Sequence, residues 1–226
     1  QRVNALTWMS EETKKRAQEK LSSFIVKIGY PDKWMDYSSL DIDESKTYYQ
    51  NLEAAVRFMQ ADNLKDLGKP VDRTKWLMSP QEVNAYYMPT TNEICFPAGI
   101  LQPPFFNMEA DDAVNYGAIG VVIGHEMTHG FDDEGSNFDK DGNMNNWWTA
   151  EDRQKFEVTT QRLAKQFSSV TVAPGLKANG ELTLGENIAD QLSNLIHLLS
   201  WFSYREPSYS ISISPFGGDI FGRGTA

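Results

Sequence analysis

Apolar side chains recur at helical intervals in several stretches of the chain, and residues that start or stop helices bound each stretch. The first predicted helix covers residues 4–28, with Ser10 as its N-terminal cap and an end at Gly29-Tyr30-Pro31. A second helix is expected over residues 44–67, followed by Gly68-Lys69-Pro70. The apolar positions that support the two helices are Leu21, Phe24, Ile25, Ile28, Tyr48, Leu52, Ala55, Val56 and Met59.

The pattern changes in residues 81–96, where aromatic and β-branched residues flank a Pro-Thr-Thr-Asn turn and predict a β-hairpin. A proline-bounded loop, PAGILQPPFF, follows. Three more helices are expected, over residues 111–130, over residues 149–167, and from Thr183 to about Leu199. Asp111 or Asp112 is expected to cap the first of these, with Gly130 as its C′ residue, and Thr149 to cap the second.

Composition indicates a folded protein of one large or two small domains, since the 226 residues are 40% hydrophobic and 23% charged. The net charge of −10 argues against nucleic acid or an anionic membrane as the main partner. No apolar run is long enough for a transmembrane helix. The single cysteine, Cys95, excludes an internal disulfide and favours a reducing compartment, so a cytoplasmic location is expected rather than secretion. An upstream targeting segment is compatible with this start of the chain.

The stretch VVIGHEMTHGFDDEG holds two of the three histidines, His125 and His129, four residues apart. On the predicted helix this spacing places both rings on one face, together with Val114, Ala118, Val121 and Val122. One interpretation is a pair of buried histidines with satisfied hydrogen bonds. The other is a zinc site, because one helical turn separates two imidazoles suitably for tetrahedral coordination and Glu126 then lies beside the metal without binding it.

A catalytic zinc site needs a third protein ligand, and TLGENIADQ offers Glu186. Asp190 lies one turn further along the same face, where its carboxylate can accept the free ring N–H of a ligand histidine. Glu186 has an alternative role, because Thr183 and Glu186 also fit a capping box. His197 is about 16 Å from Glu186 along a helix axis, so the two cannot share a metal.

Four motifs then occur in one order, NAYY, FPAGILQPPFF, VIGHEMTHGFDD and TLGENIAD. Together with NFDKDGNMNNWWT they resemble the neprilysin and endothelin-converting-enzyme family of zinc metallopeptidases over about residues 1–190. Because it lacks cysteine pairs, the chain resembles the bacterial endopeptidase O type in particular, and this resemblance implies a bacterial cytoplasm. The resemblance implies an α+β, zincin-like catalytic domain, mostly helical with a small sheet beside the active-site helix, over residues 1–200, and an atypical tail over residues 201–226.

The resemblance also implies one zinc ion per chain, oligopeptide substrates and cleavage before bulky apolar residues; it makes no prediction of the oligomeric state. It carries over His125, His129 and Glu186 as metal ligands, Glu126 as the general base and Asp190 as the partner of His125. Asn84 and Ala85 match the strand that pairs with an extended peptide. The residues matching the apolar pocket after the scissile bond are Ile100, Phe105, Val121 and Val122.

After Asp190 we expect the match to the family to end. The family continues with a helical tail whose histidine and arginine stabilise the oxyanion, whereas Arg205 and Arg223 lack that context here. A truncated or frame-shifted tail is therefore expected, and the family's upstream helical lobe is expected to lie outside these 226 residues. Loss of an oxyanion donor typically lowers a rate by about 10²–10³. Three functions remain open: a zinc endopeptidase with impaired turnover, a catalytically inactive peptide- or zinc-binding remnant, and a non-peptidase hydrolase.

Weaker patterns favour structural roles. NFDKDGNMN resembles the first half of a calcium loop, but Trp148 occupies the position of the essential glutamate, so a polar surface turn is expected. Trp147 and Trp148 are expected in the core and Cys95 as an inert strand residue. EETKKRAQEK is expected to be a solvated helix face.

Overall fold

The computed structural model describes residues 2–193, which divide into two compact units. The first contains residues 2–29 and 78–193, and the second contains residues 30–77. The predicted domain boundary at residue 200 lies outside the described residues. Within them, no helix is long and apolar enough to cross a membrane.

The first unit begins with helices α1 (Arg2–Ala5) and α2 (Glu11–Ser22). The Ser10 hydroxyl accepts a hydrogen bond from the Thr13 N–H, which confirms Ser10 as the cap of α2. The prediction that this helix continues to residue 28 is wrong, because Ile25–Gly29 forms strand β1. The apolar spacing suits a helix locally, but pairing with a distant strand decides the conformation of this stretch.

The predicted hairpin is present as strands β2 (Tyr86–Met88) and β3 (Glu93–Pro97), which pair antiparallel with Tyr86 opposite Cys95. Strand β1 pairs in parallel with the other side of β3, so the order is β1-β3-β2. Central β3 is buried at every residue, whereas β2 lies at an edge of the sheet.

The predicted helix over residues 111–130 is two helices, α4 (Asp112–Gly117) and α5 (Ile119–His129). The backbone leaves the helical region at Ala118, with φ −111° and ψ −91°, and the Ile119 N–H donates to the Phe105 carbonyl instead. Asp111 caps α4 as expected. Because of the break, Val114 and Ala118 do not extend the face of α5 that carries the histidines.

Gly130 is the C-cap of α5 and has a right-handed conformation, with φ −63°, so the expectation that it is the C′ residue is wrong. Its small size is needed for another reason. A Cβ atom at this position would lie 2.6 Å from the ring of Phe24. The glycine thus permits α5 to end against the residue that precedes β1.

The rest of the first unit contains helix α6 (Ala150–Ser168), capped by Thr149 as predicted, and strands β4 (Thr171–Ala173) and β5 (Leu176–Lys177), which form a second hairpin. Helix α7 covers residues 184–193, and its predicted end near residue 199 lies outside the described residues. The arrangement is α+β, mostly helical, with the three-stranded sheet packed against α5 through β2. This confirms the expected fold class.

Two clusters of buried apolar residues hold this unit together. One joins α2, α6 and α7, and includes Trp147 and Trp148, which confirms both tryptophans as core residues. The other lies under the sheet and the loop after β3. Its buried members are Ala85, Ile94, Phe96, Ile100 and Ile119.

The expectation that EETKKRAQEK is a solvated face is wrong for the inner side of α2. Lys14 is 8% exposed and Lys20 is 1% exposed. The many charges on this stretch predict exposure of the whole helix to solvent, but α2 packs against the apolar cluster that joins it to α6 and α7.

The second unit contains helix α3 (Tyr48–Leu64), which has a capping box formed by Thr47 and Gln50. The helix begins four residues later than predicted and ends within the predicted range. None of its residues is buried, so its apolar face contributes no core position to the described structure.

Candidate metal centre

His125 and His129 lie one turn apart on α5, and Glu186 on α7 meets them. Nε2 of His125 is 2.9 Å from Nε2 of His129. The nearer oxygen of Glu186 is 3.2 Å from Nε2 of His125 and 3.7 Å from Nε2 of His129. Two segments separated by more than 50 residues therefore bring together the three side chains predicted as metal ligands.

A carboxylate contacts the Nδ1 atom of each imidazole, on the side of the ring opposite the converging Nε2 atoms. Nδ1 of His125 lies 2.9 Å from Asp190, as the sequence predicts for this pair, and Nδ1 of His129 lies 2.7 Å from Asp132. A carboxylate accepts hydrogen bonds, so each Nδ1 carries the proton and each Nε2 presents a lone pair. Two lone pairs and a carboxylate oxygen thus converge on one point.

This donor set fits zinc. Three electron-rich atoms at such separations repel one another unless a cation lies between them. Ligands about 2.0–2.1 Å from a tetrahedral ion are about 3.3–3.4 Å apart, and the three observed separations bracket that value. Nitrogen and oxygen donors in a three-residue set are also typical of catalytic zinc sites.

Glu126 follows His125 in the chain and is 7% exposed. Burial raises the pKa of its carboxyl, while the neighbouring rings of His129 and His125 oppose that shift. The backbone N–H of Tyr87, on β2, also favours the carboxylate and so opposes the rise in its pKa. Glu126 is therefore fixed between the histidine helix and the edge strand, beside the ligand set.

Asp132 is the functional residue that the sequence analysis missed. It is 4% exposed, and its second oxygen accepts the backbone N–H groups of Glu134 and Gly135 at 3.0 and 2.6 Å. Burial lowers the pKa of His129, but the hydrogen bond and charge of Asp132 outweigh it and raise the pKa. Its position three residues after a candidate ligand is a signal that the sequence offered.

Helices α5 and α7 approach closely at Gly124. A Cβ atom there would lie 3.1 Å from Cα and 3.2 Å from Cβ of Ser193. At the other end of the contact, a Cβ on Gly185 would lie 3.0 Å from Asp133 and 3.1 Å from Asp132. Two glycines thus allow the helix that carries Glu186 and Asp190 to reach the histidines.

A cleft of about 400 Å³ opens over the three converging side chains. Asn84 and Ala85, predicted to contact a peptide, lie on its wall just before β2. The remaining residues that line the cleft are Tyr86, Tyr87, Pro89, His125, Glu126, His129, Asp132, Glu134, Gly135 and Glu186.

The four residues predicted for an apolar pocket lie away from the wall of this cleft. Ile100, Phe105 and Val122 join the core cluster under the sheet, and Val121 is half-buried outside that cluster. Val121 and Val122 occupy the turn of α5 that precedes His125, so they adjoin the ligands along the chain.

The other sequence signals have structural explanations. In the calcium-like stretch, Asp139 accepts backbone N–H groups of Asp141 and Asn143, which makes it a polar turn as expected. Cys95 is fully buried, and burial raises the pKa of its thiol to about 11, in agreement with an inert role. His197, Arg205 and Arg223 lie outside the described residues.

Comparison with known proteins gives consistent results. Residues 84–212 match a model described as peptidase family M13, and residues 1–31 match a second model with the same description. Neprilysin-11 of Caenorhabditis elegans is 49% identical over 191 residues, which is 81% of this chain and 22% of that protein. Human neprilysin is 44% identical over 200 residues, which is 84% of this chain and 26% of that protein.

Two solved structures are similar to this chain. The zinc metalloprotease Zmp1 of Mycobacterium tuberculosis, with an inhibitor, has a TM-score of 0.87 and 44% identity over 95% of this chain and 33% of its own. PepO of Lactobacillus rhamnosis has a TM-score of 0.82 and 39% identity over 88% of this chain and 32% of its own. These likenesses confirm the zincin-like fold. The chain spans about a quarter of the length of the curated relatives it matches.

Proposed function

The chain belongs to peptidase family M13, and from that premise we propose that it forms the catalytic part of a zinc-dependent endopeptidase that hydrolyses short peptides. The observation that carries the proposal is the convergence of both Nε2 atoms and the Glu186 carboxylate on one point, with Glu126 beside them. A buried histidine pair of purely structural role would not need a third, largely exposed carboxylate aimed at both rings.

His125, His129 and Glu186 would hold the zinc ion, one per chain. When bound, zinc supplies Lewis acidity, which makes water a better nucleophile and a peptide carbonyl a better electrophile. Asp190 and Asp132 keep the proton on Nδ1 of each ring, so both Nε2 lone pairs stay available.

Glu126 acts as the general base. Its carboxylate takes a proton from the attacking water and passes it to the nitrogen of the leaving amine. Glu126 is buried in the cleft wall beside Tyr87 of β2, whose backbone N–H favours the carboxylate, so the proton acceptor has a defined position relative to the bound peptide. This fixed geometry is the contribution of β2 to the chemistry.

Strand β2 offers its outer edge to an extended peptide. It is an edge strand of the three-stranded sheet, and the residues before it, Asn84 and Ala85, line the same cleft as the ligand set. Main-chain hydrogen bonds to such an edge give affinity with little dependence on peptide sequence. We infer a preference for a bulky apolar residue after the cleaved bond from the match of Ile100, Phe105, Val121 and Val122 to the family's pocket residues. Three of these residues pack in the apolar cluster beside the ligand-bearing turn of α5.

The test compares the wild-type chain with Glu126→Gln and, as a matched control, Glu134→Gln, an exposed carboxylate on the same cleft wall. We expect one zinc ion per chain in all three proteins and cleavage of a quenched fluorescent peptide by the wild type and the control only. A peptide with phenylalanine after the cleaved bond should be hydrolysed faster than one with aspartate there.

Stoichiometric zinc without Glu126-dependent cleavage would contradict the endopeptidase proposal and favour the alternative, a catalytically inactive peptide- or zinc-binding remnant. Peptide binding to the zinc-loaded wild type, measured by fluorescence anisotropy, would then separate a peptide-binding remnant from one that binds zinc alone. A chain that binds no zinc would contradict both functions.

A further inference from the structure

Lys20 is a buried cation on α2, and its surroundings differ from those of two other buried lysines. It is 1% exposed, and no carboxylate of residues 2–193 lies within ion-pair distance of it. Lys14 pairs with Glu11, and Lys27 pairs with Glu93. Burial lowers the pKa of Lys20 to about 8, against the charges of Asp132 and Asp139, so the side chain is still cationic at neutral pH.

The ammonium group of Lys20 binds the turn that follows α5. Its Nζ atom donates to the carbonyl oxygens of Gly135 and Phe138, both at 2.7 Å. The remaining sides of the ammonium group face aromatic rings at 5.6–5.8 Å, which interact favourably with a cation. These rings belong to Tyr87, Phe131 and Trp147.

The same turn holds Asp132, and Asp132 holds His129. Both backbone groups of Gly135 are hydrogen-bonded, since its N–H donates to Asp132 and its carbonyl oxygen accepts from Lys20. The turn also packs directly on the end of α5, because a Cβ on Gly135 would lie 1.8 Å from the His129 carbonyl oxygen. A displacement of the turn would therefore be transmitted to the carboxylate behind the ligand ring.

We propose that Lys20 is a positioning residue of the metal centre, which fixes the Asp132–Phe138 turn and, through it, the carboxylate that orients His129. The inference rests on the proposed zinc site. A buried charge contributes little net stability, because desolvation offsets most of its attraction to its surroundings. Two acceptors at fixed short distances instead restrict the turn to one conformation.

Both carbonyl oxygens have a hydrogen-bond donor besides Lys20, so neither loses its only partner when the lysine is replaced. The Gly135 oxygen also accepts the Phe138 N–H at 3.1 Å, and the Phe138 oxygen also accepts the indole N–H of Trp147 at 2.9 Å. Lys20→Met is close in length and apolar, so it should leave α2 packed while releasing the turn. Its matched control is Lys14→Met, which alters the other inward lysine of the same helix.

The experiment measures zinc affinity of the 226-residue chain by competition with a chromogenic chelator, and thermal unfolding of each metal-free protein. We expect Lys20→Met to weaken zinc binding about tenfold, the lower end of the effect of residues that support metal ligands. Lys14→Met should bind zinc as the wild type does. In an Asp132→Asn background the additional effect of Lys20→Met should fall to about twofold or less, since both act through one carboxylate.

Unchanged zinc affinity with a lower unfolding temperature in Lys20→Met would overturn the inference and leave the lysine a purely structural role. Equal effects of Lys20→Met with and without Asp132→Asn would overturn it as well. If the methionine variant does not fold, Lys20→Gln, which retains an amide donor, decides by the same two criteria. Failure of both variants to fold would assign Lys20 to stability. A wild-type chain without zinc affinity would instead overturn the proposed function.

Discussion

The carboxylate of Asp132 lies 2.7 Å from Nδ1 of His129, on the side of the ring opposite the converging ligand atoms. Asp190 stands in the corresponding position behind His125, at 2.9 Å. The two carboxylates differ in environment, since Asp132 has 6% of its side chain exposed and Asp190 has 68% exposed. Water can replace Asp190 as the acceptor of a ring proton but has little access to Asp132.

Asp132→Asn and Asp190→Asn are therefore expected to weaken zinc binding by about 10–100-fold, with the larger loss for Asp132. Chelator competition on the purified variants measures both values, and Glu134→Gln on the same cleft wall is the control. A larger loss for Asp190→Asn than for Asp132→Asn would contradict the role assigned to burial.

Gly124→Ala tests the close approach of α5 and α7. The added methyl group would lie 3.1 Å from Ser193 Cα, so α7 must move by a few tenths of an ångström and carry its two carboxylates with it. We expect weaker zinc binding and a loss of about 1–3 kcal/mol in the free energy of unfolding. Gly120→Ala on the same helix is the control, because its nearest contact would be an ordinary 3.5 Å. Similar losses from both substitutions would refute the packing argument.

We expect the free energy of unfolding to rise in mild alkali because of the lowered pKa of Lys20. Its folded pKa is about 8, against an ordinary lysine pKa of 10.5, so between these values the unfolded chain binds more protons and stability rises with pH. The rise is at most about 3 kcal/mol, from 1.36 kcal/mol per pKa unit. Hydrogen bonds lower the pKa of the nearby Asp139 despite its burial, and burial raises the pKa of Tyr87 above this range.

Urea unfolding of the wild type and Lys20→Met from pH 7 to pH 10 measures this contribution. The difference in free energy of unfolding between the two proteins should change in favour of the wild type as pH rises. A difference that stays constant over that range would show that the lysine does not titrate between the two values.

Asp152 joins the start of α6 to the start of α2. It is 2% exposed and accepts the backbone N–H of Ser10 at 3.0 Å. Burial raises its pKa, but hydrogen bonds from Ser10, Thr13 and Thr149 outweigh this and lower the pKa. Its stabilising contribution is therefore fully present above the unfolded pKa of about 3.9 and is lost as pH falls through the lower folded pKa.

Asp152→Asn should reduce the free energy of unfolding by about 1–3 kcal/mol at pH 7, and the difference from the wild type should shrink below about pH 4. Chemical denaturation at pH 7 and pH 3 provides the comparison, with exposed Glu157→Gln on the same helix as control. If the two variants are equally stable at pH 7, the link between α2 and α6 is not what Asp152 provides.

The local sequence pattern was sufficient to predict features that depend on a single helix or hairpin. The spacing of His125 and His129, the one-turn offset of Glu186 and Asp190, and the caps Ser10, Asp111 and Thr149 are all properties of single helices. Helical period and capping chemistry act between residues a few positions apart, so the sequence alone determines them. The hairpin of β2 and β3 belongs to the same class, because a short turn sets its pairing.

Only the tertiary structure decided the features that depend on distant partners. Residues 25–29 form a strand because β3 lies alongside them, and the helix breaks at Ala118 where Phe105 offers a carbonyl to the next residue. A turn that packs on the end of α5 sets the environments of Asp132 and Lys20. Such contacts join positions up to more than 100 residues apart, and neither apolar periodicity nor charge spacing within one segment records which distant atoms will meet.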